Sequence, residues 1–286
     1  MWTPSPGRSD SSALRIAELY AGALDRLGDP RPPMRVGALH TLEILGQQHP
    51  GLRQAIVDVI CAYLRMPAGE DGPVRTTAQR ILTGHLQPAN DLTFWSGVSL
   101  DLVGATLTDL DLSGCRVDGG VRFDYAVFLG AARFRGAVLG GSINFRAAVF
   151  HDHAWLERAV FGGPVWFDGA TLHGDAWFGE AVFASRAAFA GVDFRGHAWF
   201  GGCDVTGPLD LSEAMFRRSA GFRGAVLRGG AALAGTTFIG PARVSRRDDE
   251  WNLCPPGWRV EIDPDNEAVG QLVWSGSSAL ADVTPA

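Results

Sequence analysis

Trp155, Trp177 and Trp199 recur at one constant interval, and His153, Asp175 and His197 stand two positions before them. Three kinds of chemistry suit such a set. Indole rings stacked beside imidazoles can simply cover backbone, which is a structural use. Exposed indoles next to Arg and His can form a partner-binding strip, since aromatic residues and Arg are enriched at interfaces. Two imidazoles and a carboxylate could also ligate a metal, but no tight ligand spacing supports that, and no metal site is assigned. His151 and His173 read as solvated side chains. Asp109 and Asp111 fall on alternate positions beside a turn, where carboxylates are solvated more often than they act as an acid–base pair. The chain carries no GxGxxG, P-loop, HExxH or GxSxG motif. No catalytic residue and no cofactor are therefore expected. The candidate partner-binding residues are Trp155, Trp177, Trp199, His153, Asp175 and His197.

What positions these residues is a repeat. From Leu102 a large apolar residue recurs at five-residue steps through Leu107, Leu112 and Val117. The step then alternates between six and five, from Phe123, Phe128, Phe134 and Leu139 through to Phe238 and Val244. A small residue, most often Ala, stands two positions earlier, as Ala126, Ala137 and Ala148 do; Leu110, Ile143, Val165 and Leu209 are larger exceptions. Gly often follows two positions later. An amphipathic helix cannot have this period with one or two Gly per unit. A chain that turns a corner every five or six residues can. Each side sends one small and one large residue inward, and Gly relaxes the corner. The residue between them, pointing outward on the six-step sides, runs Arg133, Asn144, Trp155, Trp166, Trp177, Ala188, Trp199, Asp210. Four sides of alternating length make a coil of about 22 residues. At that coil length the three Trp share one side and Trp166 takes the opposite one.

The segments LVGATL (102–107), DLSGCRV (111–117), DGATL (168–172) and FGEAVF (178–183) resemble the pentapeptide-repeat family, whose strict pattern is A-(D/N)-L-X-X. The resemblance implies a mainly β fold, a right-handed quadrilateral β-helix, over residues 91–244. The family's strict coil has four five-residue sides. Alternating steps of five and six lengthen it by one residue on each of two opposite sides. Coils stacked at about 4.8 Å would form a rod roughly 30 Å long.

A solenoid exposes its core at both ends and needs covers. Residues 11–27 place Leu14, Ala17, Ala21 and Leu24 at helical spacing. Further helices are expected at 34–47, 52–65 and 74–86, giving an all-α, HEAT-like domain over 11–88 that resembles the helical N-terminal region of some bacterial, high-GC members of the family. Two short strands, near 257–262 and 269–274 around an Asp263–Asn266 turn, are expected to form a C-terminal cap over 245–274. Residues 1–10 and 275–286 read as disordered.

The net charge is −6 and every strong base is Arg. Residues 101–244 hold 13 Arg against 14 acids, so no basic face is implied and direct nucleic-acid binding is not expected. Four scattered Cys without a CxxC pair argue against a disulfide framework or zinc knuckle. No apolar run is long enough for a membrane helix, and no signal core leads the chain, so a cytoplasmic protein is expected. The functional expectation is a scaffold that presents a rigid face to a protein partner. The alternative implied by the resemblance is a DNA mimic acting on DNA gyrase or a related topoisomerase, of the fluoroquinolone-resistance type. The near-neutral rod speaks against that alternative, and the sequence leaves the oligomeric state open.

Overall fold

The computed structural model describes residues 7–69, 71–222, 224–239, 258–263 and 266–274. Four helices lead, α1 (Gly7–Leu27), α2 (Pro32–Gln48), α3 (Arg53–Arg65) and α4 (Gly72–His85). Pro at the first turns of α2 and α4 costs no hydrogen bond there and fixes a helical φ. Helix α1 begins inside the stretch 1–10 expected to be disordered. Residues 1–6 and 275–286 lie outside the described residues.

Helical spacing leaves open which face of α1 is buried. Leu14, Ala17, Ala21 and Leu24 are exposed, and α1 instead buries Ala23 and packs Ile16, Tyr20 and Leu27 against the core. The helix has two apolar stripes, and periodicity alone cannot say which one meets α2.

From Leu100 the chain winds as a parallel β-solenoid with four sides. Short strands stack into four sheets, one per side. The first side runs from Leu100–Asp101 to Ala231–Ala232, and the second from Thr106–Thr108 to Thr237–Ile239. The third runs from Ala132–Arg133 to Ala220–Gly221, and the fourth from Arg116–Val117 to Val226–Leu227. Register advances by about 22 residues per coil, as in Ala154↔Ala176↔Ala198 and Phe161↔Phe183. The first coil is one residue shorter, with Leu100↔Val121 and Thr106↔Val127. Its corner between Leu107 and Leu110 has only Thr108 and Asp109, where the next coil has Leu129, Gly130 and Ala131 between Phe128 and Ala132.

The extra residues of the longer coil lie in the corners, not on the sides. Corners leaving the first and third sides have two residues and close with a hydrogen bond such as Ala126 N–H to Phe123 O, 3.0 Å. Their second residue is left-handed, as at Tyr125 (φ 57°) and Gly136 (φ 63°), which is type II turn geometry. From the second coil on, corners leaving the second and fourth sides have three residues. Every strand thus keeps the same in–out–in alternation, and each outward residue falls in a column.

Inside, the large residues form four columns. Phe123, Phe145, Phe167 and Phe189 stack nearly parallel up the first side with centroids 5.1, 4.5 and 4.9 Å apart. Between columns the rings meet edge to face, as Phe167 does with Phe178 at 86°. Each such buried ring contributes roughly 1.5–3 kcal/mol. The larger residues at small positions, Ile143, Val165 and Leu209, all lie on the first side. One continuous core joins the helices to the coils.

The helical domain closes the first coil with side-chain amides. Gln54 exchanges two hydrogen bonds with the Ser99 backbone (2.8 and 3.1 Å), and Gln79 does the same with Thr108 (2.8 and 3.2 Å). Gln87 donates to Ser113 O at 3.0 Å, and Arg116 N–H reaches Leu86 O at 2.7 Å. At the other end, Asn266–Trp274 pairs antiparallel with both Thr237–Ile239 and Trp258–Asp263, extending the second-side sheet to nine strands. These are the two strands expected at the C-terminus. Residues 240–244 of the expected solenoid, and residues 245–257, 264 and 265 of the expected cap, lie outside the described residues.

Candidate interaction surface

The third side holds the outward column Arg133, Trp155, Trp177, Trp199, Gly221. Backbone register forces this alignment, because each strand residue pairs with its equivalent one coil later. The indoles lie half-buried. Trp155 and Trp177 stack with centroids 5.5 Å apart and planes 5° from parallel; Trp177 and Trp199 stack at 5.8 Å and 30°. Trp166 projects from the first, opposite side, as the coil length requires, and the Arg146 guanidinium covers it at 5.2 Å.

His153, Asp175 and His197 occupy the last position of the corners entering the third side, one above another. They do not converge on a metal. His153 Nδ1 accepts the Asp175 backbone N–H at 2.9 Å, and Asp175 Oδ1 accepts the His197 N–H at 2.8 Å. These side chains therefore tie one coil's corner to the next. Their rings also border the indoles, His153 at 5.9 Å from Trp155 and His197 stacked on Trp199 at 5.6 Å. Among the described residues no group of three His, Cys, Asp or Glu could hold a metal ion. His151 and His173, the first residues of two such corners, are exposed and stack at 5.2 Å. Desolvation, then Arg195 and His151, lower the His173 pKa.

At the N-terminal end of the column, Ser113, Arg133, Arg135 and Trp155 line a cleft of about 260 Å³. The Arg135 guanidinium lies 5.3 Å from the Trp155 ring centre and pairs with Glu157 at 2.8 Å. That surface offers flat apolar edges next to cationic donors. Elsewhere in the molecule, burial pushes the thiols of Cys61, Cys115 and Cys203 up to about 12.

A family model for pentapeptide repeats matches nine copies, over residues 102–149, 123–171, 156–204 and 167–215. The chain is a pentapeptide-repeat protein. No curated protein and no solved structure gives a significant match to it. Within this pentapeptide-repeat protein, sequence reasoning located the Trp column and its His-Asp-His border but missed the ionic ladders. Arg135 with Glu157, Arg146 with Asp168 and Arg158 with Glu180 join equivalent corners of successive coils at 2.8, 3.0 and 2.8 Å. Opposite charges one coil length apart were the available signal once that length was known. No described helix is long and apolar enough to cross a membrane.

Proposed function

We propose that this pentapeptide-repeat protein is a non-enzymatic scaffold whose third side binds a protein partner through the edges of Trp155, Trp177 and Trp199. One observation carries the reading: of the four sides, only the third has an outward column of aromatic side chains among the described residues, in register over three coils. The outward columns of the second and fourth sides are mostly Val, Thr and Asp, for example Val127, Val149, Thr171 and Asp193, or Val138, Val160, Val182 and Asp204. Indole edges beside the Arg133–Arg135 cleft combine apolar area with directional donors, the composition of binding hot spots. The side chains of His153 and Asp175 hold the corners that border the indoles. The fold family makes a binding role more natural than catalysis. Free buried thiols at Cys61, Cys115 and Cys203 fit a reducing, cytoplasmic setting.

Gyrase inhibition by DNA mimicry is the weaker reading. A DNA mimic needs an uncompensated negative rod, whereas Asp168, Glu180, Asp193, Asp204 and Asp210 each pair with an Arg of a neighbouring coil.

A crosslinking pull-down from the native cell tests the proposal, with wild type against a Trp155→Ala/Trp177→Ala/Trp199→Ala variant whose folded state is verified by circular dichroism. Wild type is expected to capture a partner that the variant loses by tenfold or more. Equal capture by both would remove the third side as the binding face.

A further inference from the structure

The unpartnered stripe on α1 has a symmetry of its own. Leu14, Ala17, Ala21 and Leu24 are exposed, Leu14 at 65% and Leu24 at 38%, while the stripe formed by Ile16, Tyr20, Ala23 and Leu27 meets the core. Their spacing of three, four and three residues is that of a coiled-coil seam. It also reads the same in both directions about residue 19: Leu14 and Leu24 lie five residues either side, and Ala17 and Ala21 two. A twofold axis at that point places Leu14 against Leu24 of a second chain, and Ala17 against its Ala21. Alanines at the crossing allow the helix axes to approach to roughly 8 Å.

We infer that this face binds a second copy of the same chain, α1 against α1, antiparallel about a twofold axis beside residue 19. Two further features fit that occupant. An apolar groove of about 420 Å³, lined by Ala13, Ile16, Ala17, Tyr20, His49 and Leu52, runs beside the seam. Leu24 of the second copy arrives at the Ala13–Ala17 end of it, and by symmetry each chain supplies both knob and hole. Charge is complementary as well. Arg15 and Asp25 are exposed on the solvent side of the seam, and neither has an ion-pair partner among the described residues. Antiparallel pairing brings Arg15 within one helical turn of Asp25 on the second copy, twice per dimer. Leu14 and Leu24 are ten residues apart, about 15 Å along the helix. A contact of that length belongs at the small end of specific interfaces, with a Kd on the order of 1–100 µM.

Sedimentation equilibrium of the full chain, up to about 300 µM, tests the inference. Wild type is expected to approach twice the 30.5 kDa chain mass. Ala17→Glu is expected to stay monomeric at every concentration. Arg15→Asp alone weakens association at least fivefold, and adding Asp25→Arg restores it. If Ala17→Glu proves unfolded, the charge-swap pair decides alone. A wild type that remains monomeric, or a swap that restores nothing, overturns the inference. The Trp variant of the third side should still dimerise, so the two proposals fail separately.

Discussion

Ala147 holds a left-handed corner at φ 52°, the position that Gly136 and Gly169 hold one coil corner before and two after. A Cβ in that conformation costs roughly 1 kcal/mol, and Gly would relieve it, less its own entropy cost. Ala147→Gly is therefore expected to stabilise the protein by about 0.5 kcal/mol, seen as a higher denaturant midpoint at unchanged slope. A lower midpoint would mean that the corner is not strained. Not every Gly here is interchangeable in this way. A Cβ on Gly196 would run into the Gly174 carbonyl of the preceding coil, so that Gly answers to stacking and not to φ. At this scale the alignment of Trp155, Trp177 and Trp199 was legible from spacing alone, because a fixed coil length dictates it. The hydrogen bonds of His153 and Asp175 to the next corner were not, since they depend on where the corner amides point.

Gln54, Gln79 and Gln87 do for the first coil what a preceding coil would have done. Each presents an amide to backbone groups that otherwise end the sheets as open edges. Gln79 is 8% exposed and both donates to and accepts from Thr108. Gln79→Ala is expected to cost about 1–3 kcal/mol, since it leaves a peptide donor and acceptor without partners. Chemical denaturation checks this, and a loss well below that range would show that water replaces the amide. The existence of the helices could be read from apolar spacing and the Pro start signals. The orientation of α1 could not, because two apolar stripes compete and only contact with α2 chooses between them. The shorter first coil was visible in the equal five-residue steps from Leu102 to Val117. That the later extra residues sit in corners followed only from the backbone.

Across the whole molecule, stacked Phe columns, inter-coil ion pairs and a helical cap make one rigid rod with four unlike sides. The first side presents mixed residues and the single Trp166, whereas the second and fourth present mainly small or β-branched ones. The third alone has an outward aromatic column, with a cleft bearing Arg133 and Arg135 at one end and corners tied by His153 and Asp175 along it. Net charge near zero over the coils, with acids paired locally, leaves shape and indole edges as the features a partner can read. The most direct test of that view places a photo-crosslinking residue at Arg133, in the third-side column, or at Arg122, outward on the opposite first side. Irradiation in the native cell is expected to trap the same partner from Arg133 at least fivefold more than from Arg122. Equal trapping from both positions, or trapping from Arg122 alone, would contradict a third-side interface.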